Sequence, residues 1–139
     1  MKTAGKIFLV ALFIFSFSCE DQGLFIKCPD CKSVEPKKTD LNIKLDNAYY
    51  GFTTVVNVYE GNLEDSVLYN SFEVSSNNTS VTVSMNKKYT VTATYYIPPD
   101  YYIAIDAVTP RVRFDKTKCD DPCYFVYDKD IDLRLKYTK

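Results

Sequence analysis

Tyr89-Thr90-Val91-Thr92-Ala93-Thr94-Tyr95 decides the fold class. Side chains of an extended strand alternate between two faces, so Tyr89, Val91, Ala93 and Tyr95 share one side and the three threonines the other. Aromatic and β-branched residues suit such a pleated surface. Upstream, Val81, Val83 and Met85 alternate with Thr82 and Ser84, and Asn86-Lys87 makes a tight turn. Leu41, Ile43 and Leu45 alternate with Asn42 and Lys44. Val56 and Val58 lie in a run from Thr53 to Tyr59 that ends at the turn signal Gly61-Asn62. Val67 to Val74 is a weaker strand, broken by Asn70-Ser71. Downstream, Pro98-Pro99-Asp100 interrupts, Tyr101 to Val108 resumes, and Pro110 interrupts again. Cys123 to Tyr127 is a short strand, and Ile131, Leu133, Leu135 and Tyr137 alternate with Asp132, Arg134 and Lys136 in the last. No window carries helical spacing of apolar residues over three turns. Seven to nine short strands imply an all-β, antiparallel sandwich over residues 40–139.

The composition sets outer bounds. The chain has 139 residues, enough for one domain. With 46 % hydrophobic and 25 % charged residues it is too apolar for disorder and too charged for an integral membrane protein. Lys and Arg number 17 against 18 Asp and Glu, so no basic surplus exists to neutralise phosphates and nucleic acid is not expected as a partner. There is no His, which excludes an imidazole base or ligand. Twelve Tyr against four Gly favour strands over phosphate-cradling loops.

The first eighteen residues read as an address. Lys2 and Lys6 precede the apolar run Ile7 to Phe15, and Ser16-Phe17-Ser18-Cys19 follows. A basic start, an apolar middle and small residues at the end make a secretory signal. The run is shorter than the roughly 20 residues a membrane-spanning helix needs. An uncleaved anchor or a buried first strand is the rival reading. The site resembles the lipobox of bacterial lipoproteins, with Ser16 where that family usually has Leu; Ser16 and Ser18 also suit ordinary signal peptidase. The resemblance implies that Cys19 is acylated and becomes the mature N-terminus. Cys19-Glu20-Asp21-Gln22 further resembles the export signal of surface lipoproteins in Bacteroides-type bacteria, which implies an outer-membrane, lipid-anchored protein at the cell surface. Loss of Lys2 and Lys6 with the signal leaves 15 basic against 18 acidic residues, a net charge of −3. Such a module is held at a membrane by lipid rather than by a basic patch. Residues 19–39, with Pro29, Pro36 and Lys37-Lys38, read as a lipidated tether holding a Cys-x-x-Cys loop.

Leu41 to Tyr95 resembles the prealbumin-like sandwich modules of the carboxypeptidase-regulatory and Cna-B kind. The resemblance rests on Val55-Val56-Asn57-Val58-Tyr59 before a turn, and on Val81-Thr82-Val83 paired with Asn86-Lys87-Lys88-Tyr89-Thr90-Val91. Lys88 stands where such modules usually have Gly. The resemblance implies an immunoglobulin- or prealbumin-like sandwich serving as a non-catalytic spacer, stalk or adhesion unit.

Cysteine arithmetic supports export. Five Cys is odd, but with Cys19 lipidated the remaining Cys28, Cys31, Cys119 and Cys123 form an even set. Cys28-Pro29-Asp30-Cys31 and Cys119-Asp120-Asp121-Pro122-Cys123 flank the domain. Disulfides are expected outside the cytoplasm. A four-thiolate zinc site is an alternative, and a redox dithiol, which needs a helix to lower one thiol pKa, is a third. Long loops gain most from cross-linking, which favours bridges between the two pairs. No cofactor is implied.

Tyr95-Tyr96-Ile97-Pro98-Pro99-Asp100-Tyr101-Tyr102 has tyrosines on both arms of a hairpin. Tyr95, Tyr96, Tyr101 and Tyr102 are candidate binding residues for a sugar ring or a protein groove. Cross-strand pairing, with one Tyr of each arm in the core and one outside, explains the same pattern structurally. Asp115, Asp120, Asp121, Asp128, Asp130 and Asp132 are candidate oxygen ligands or hydrolytic carboxylates, against a solvated hairpin turn. Asp65-Ser66-Val67 resembles the O-glycosylation sequon of Bacteroides-type bacteria, which makes Ser66 a candidate acceptor. No P-loop, dinucleotide fingerprint or nucleophile motif is present. The expectation is a non-catalytic envelope lipoprotein that binds a protein or glycan. A structural subunit of an outer-membrane assembly is the alternative, and a zinc-stabilised or carboxylate-based enzyme the minor one.

Overall fold

The computed structural model describes residues 28–46, 51–65, 67–117 and 119–136. Cys19 and Ser66 lie outside the described residues. Nine strands are described: β1 (Lys38–Lys44), β2 (Thr54–Glu60), β3 (Leu68–Val74), β4 (Asn78–Ser84), β5 (Tyr89–Ile97), β6 (Asp100–Val108), β7 (Arg111–Asp115), β8 (Cys123–Tyr127) and β9 (Asp130–Asp132). They form an all-β sandwich. One sheet has the order β4-β1-β9, the other β3-β2-β5-β6, and β7-β8 is a separate two-stranded ladder.

Alternation builds the core. Leu41, Ile43 and Leu45 of the β1 segment and Val81, Val83 and Met85 of the β4 segment turn inward from one sheet. Val56, Val58, Val91, Ala93 and Tyr95 turn inward from the other. Cross-strand partners keep apolar residues together: Leu41 lies opposite Val81, Val58 opposite Val91, and Val56 opposite Ala93. Burying each such side chain contributes roughly 1.5–3 kcal/mol.

β5 runs between β2 and β6, so its threonines are covered as well as its apolar side. Thr90 and Thr92 are buried, and the Thr90 hydroxyl donates to the Gly61 carbonyl at 2.7 Å. Gly61 has φ of 90°, a backbone that side chains rarely adopt. Its N–H donates to Lys88 O at 2.8 Å, which stitches the end of β2 to the start of β5. Asn86, with φ of 60°, makes the turn between β4 and β5; Asn tolerates this conformation better than most residues.

Four elements differ from the sequence reading, the first being β7, a strand that was not read between Pro110 and Cys123. β3 is continuous through Asn70-Ser71, because β2 supplies its ladder and only Val74 of the strand is fully buried. A bulge between Val58 and Tyr59 absorbs the irregularity. The last strand stops at Asp132, and it pairs parallel to β1, with Ile43 opposite Ile131, inside an otherwise antiparallel fold. Asp132 ends it by accepting the Arg134 N–H at 3.2 Å and the guanidinium at 2.8 and 2.6 Å. A local side-chain bond of this kind competes with the ladder. Leu133 still turns inward, and Leu135 is only partly buried. Finally, the segment read as a tether is joined to the fold from Cys28 onward, since Lys32 and Tyr124 exchange backbone hydrogen bonds of 3.0 and 2.8 Å.

Leu133 is 1 % exposed within the core cluster. Leu133→Ala is expected to cost about 2–5 kcal/mol, as large-to-small core changes do. Urea denaturation checks this, with the exposed Val34→Ala as a control expected to shift stability by less than about 0.5 kcal/mol.

Candidate functional site

The four candidate tyrosines divide by register. Tyr95 lies opposite Tyr102, and Tyr96 opposite Tyr101. Successive residues of a strand face opposite ways, so the first pair points inward and the second outward. Tyr95 is a structural pin. It is 4 % exposed, its hydroxyl donates to Leu133 O at 2.9 Å and accepts the Asp46 N–H at 3.2 Å. Those bonds tie β5 to the segments that leave β1 and β9. Burial, partly offset by the bond from Asp46, pushes the phenol up to about 12. Tyr102 packs against the same core. Neither presents a face to a ligand.

Tyr96 and Tyr101 begin an outward-facing aromatic group. Their ring centroids are 4.7 Å apart, and Phe52 stands edge-on to Tyr96 at 5.0 Å. Along β6, Ile103 and Ile105 continue on the same side as Tyr101. Tyr101, Ile103 and Ile105 are 71, 61 and 56 % exposed. The ladder sets what lies beside them: Ile103 adjoins Thr94, then Val55 and Glu73; Ile105 adjoins Thr92, then Asn57 and Ser71. This outer sheet face therefore grades from apolar at β6 to polar at β3. The Ser71 hydroxyl donates to Asn57 Oδ1 at 2.6 Å, and the Thr53 hydroxyl donates to Glu73 Oε2 at 3.1 Å, so the polar end is internally bonded.

Phe52, Ile103 and Ile105 were not singled out by sequence reasoning. Ile103 and Ile105 had a signal: in Tyr101-Tyr102-Ile103-Ala104-Ile105 both parities are apolar, which a strand with one solvated face does not need. Phe52 precedes its strand and carries no periodic signal.

The cysteines form two bridges, Cys28–Cys119 and Cys31–Cys123, with Cα separations of 5.7 and 5.5 Å. Both run between the two pairs and span 91 and 92 residues. Cys28–Asp30 forms a 3₁₀ turn, closed by the Cys31 N–H on Cys28 O at 3.1 Å. That turn faces the loop between β7 and β8. An open pocket of about 360 Å³ lies over the bridges, bordered by Ser33, Asp120, Asp121 and Pro122.

The late carboxylates serve separate roles. Asp132 holds Arg134, whose guanidinium keeps the carboxyl well below the usual carboxylate range. Asp130 accepts Asn42 Nδ2 at 2.8 Å. Asp115 accepts the Thr117 N–H at 2.8 Å, and Asp128 sits in a turn with φ of 53°. Among the described residues, the one group of three or more potential metal ligands is Cys31, Cys119 and Cys123.

No protein-family model matches this chain, no curated protein matches it, and no solved structure matches it.

The bridges overlap in sequence, so they act redundantly. In the chain-entropy account the first closes about 92 residues and contributes about 4.6 kcal/mol. With it in place, the second closes only roughly nine residues and adds about 2.6 kcal/mol. Replacing Cys28 and Cys119 by Ala, or Cys31 and Cys123, is expected to cost about 2–3 kcal/mol, and replacing all four about 7 kcal/mol. Urea midpoints of the three variants check this; equal losses for the two pairs that sum to the quadruple loss would contradict it. A second expectation concerns pH. The Tyr95 phenol ionises later in the folded state than in the unfolded chain, so its contribution is full below about pH 10 and is lost as pH rises through about 12. Alkaline unfolding monitored by circular dichroism is expected to be shallower in Tyr95→Phe across that window.

Proposed function

We propose that this chain is a non-catalytic cell-envelope lipoprotein, anchored by acylated Cys19 in the outer membrane and facing the cell surface. It binds a protein partner through the β6 side of its four-stranded sheet. The observation that supports this is the run of Tyr101, Ile103 and Ile105 on one exposed face, extended by Tyr96 and Phe52. Contiguous exposed apolar groups of this kind mark interaction sites. Tyr and Phe supply large contact area at low entropic cost, as interface anchors do. Ile103 and Ile105 offer no hydrogen bonds, so the face suits an apolar protein patch better than a sugar ring. A lipid anchor and a small sandwich with a one-sided apolar face together describe a tethered docking module. The resemblance to prealbumin-like stalk and adhesion modules supports the same reading. The signal followed by Cys19-Glu20-Asp21 supports the surface address.

Site-specific photo-crosslinking on intact cells tests the face. A crosslinker at Tyr101 is expected to capture a discrete protein, and one at Thr82, exposed on the other sheet, is not. Equal capture from both positions, or capture of glycan alone, would count against a protein-docking face. Tyr101→Ser with Ile103→Ser is expected to weaken partner binding at least about tenfold and to leave the urea midpoint nearly unchanged. The anchor has its own test: incorporation of a fatty-acid analogue is expected in the parent chain and absent in Cys19→Ala.

A further inference from the structure

The two disulfides place three of their four sulfurs in one cluster. The Sγ atoms of Cys31, Cys119 and Cys123 lie within 4.8 Å of one another although they belong to two different bridges. Cys28 is bonded to Cys119 and lines the same pocket, so its sulfur stands one bond from that group and opening the bridge frees it to turn toward the other three. A tetrahedral thiolate site with metal–sulfur bonds of about 2.3 Å holds its sulfurs roughly 4 Å apart. We propose that this clasp has a second state: after reduction, Cys28, Cys31, Cys119 and Cys123 form a tetrathiolate site for zinc or a similar thiophilic divalent cation.

Three features support that state independently of the bridges. Lys32 and Tyr124 exchange two backbone hydrogen bonds one residue beyond Cys31 and Cys123, which keeps the two cysteine loops opposed when the sulfur–sulfur bonds are open. The 3₁₀ turn at Cys28–Asp30 sets Cys28 and Cys31 on one tight turn, and only three residues separate Cys119 in the β7–β8 loop from Cys123 at the start of β8. Close pairs from two separate loops are how chains build four-thiolate sites. The pocket of about 360 Å³ over the sulfurs gives a cation a solvent route, and Asp120 and Asp121 at its rim attract it.

The chemistry balances with a dithiol as reductant. Each bridge takes up two electrons and two protons from one dithiol, whose own sulfurs join as a disulfide. The cation then displaces one proton from each of the four thiols as the sulfur–metal bonds form. Two molecules of a low-molecular-weight disulfide reverse the sequence: each takes two electrons from one pair of cysteine thiolates and two protons from water to become two thiols, the two protein bridges re-form and the cation leaves. The clasp thus remains closed in both states, held by sulfur–sulfur bonds in one and by the metal in the other.

The full chain, purified in detergent, reduced with a dithiol, freed of reductant under anaerobic conditions and titrated with cobalt(II), tests this. One cobalt per chain is expected, with thiolate-to-metal charge transfer and the intense d–d absorption of a tetrahedral tetrathiolate ion. Zinc is expected to abolish that absorption by displacement. Cys28→Ser and Cys119→Ser are each expected to lose the tetrathiolate spectrum, and Asp120→Asn with Asp121→Asn to keep it. The oxidised chain is expected to bind no cobalt in this form. No uptake by the reduced chain, a weak octahedral spectrum, or an unchanged spectrum in the cysteine variants would overturn the proposal. Circular dichroism covers the case in which reduction alone unfolds the chain: zinc is then expected to restore the β-sheet signal, and failure to restore it also overturns the proposal.

Discussion

Everything in the sandwich is referred to the double pairing of β5. With β2 on one side and β6 on the other, its nine residues have ladder partners along almost the whole strand. That fixes parity across three strands at once. A one-residue slip would send Tyr89, Val91, Ala93 and Tyr95 to the outer face and the threonines to the core. The inner set is held further by two phenols: Tyr89 accepts the Ser84 N–H at 3.1 Å, and Tyr95 bridges Asp46 and Leu133. Both hydroxyls are buried among apolar side chains and both have partners, so neither incurs the cost of an orphaned polar group. The outer set then follows without further choice. Tyr96, Tyr101, Ile103 and Ile105 are outward because Tyr95, Tyr102 and Ala104 are inward.

Most of this was legible in the sequence because half-buried strands announce their parity. Leu41, Ile43, Val81, Val83, Val91 and Ala93 alternate with polar residues and are buried as that pattern requires. The division of the tyrosines was legible too, since cross-strand pairing predicts one inward and one outward tyrosine on each arm. The pairing of cysteines between loops followed from loop entropy. What was not legible depends on neighbours. Asn70-Ser71 looks like a break because neither face of that stretch enters the core, and only β2 shows why it remains a strand. The parallel direction of β9 depends on which edge of β1 stays open after β4 has paired, and no local pattern records that. The outer apolar face left a trace, since both parities of Tyr101 to Ile105 are apolar, but that pattern alone does not say which parity faces the core.

The clasp addresses a separate problem. The main core takes in strands from both sheets, whereas β7 and β8 stand apart from it, with Cys123, Phe125 and Asp115 as their buried residues. A two-stranded ladder is marginal by itself in water. The Lys32–Tyr124 bridge adds a third chain to it, and the overlapping disulfides secure that chain. The bridges therefore stabilise a part of the fold that lies outside the main core cluster. They also join the first described residues, which follow the proposed anchor, to the body of the domain. Any pull along the anchor would reach the ladder through sulfur before it reached the strand β1.

The two edges of the four-stranded sheet differ in a way that packing does not require. The β3 edge is bulged; its exposed apolar groups Val67, Leu68 and Tyr69 gather at its start, and Asn70, Ser71 and Glu73 follow. Bulges and polar side chains are how exposed edges avoid pairing with other chains. The β6 edge has no bulge, no Lys or Arg, and its outward residues from Tyr101 to Ile105 are aromatic or aliphatic. Its charges, Asp100 and Asp106, stand near the two ends. If solubility alone shaped this sheet, both edges would have been protected alike, because each faces water with one ladder unpaired. The asymmetry is one of position: β6 carries exposed apolar residues along its middle, where β3 carries Asn70, Ser71 and Glu73. Exposed isoleucine contributes little to the core, and the proposed docking face rests on that observation. It supports the proposed placement of a partner on β6 rather than on β3, whatever the chemistry of that partner.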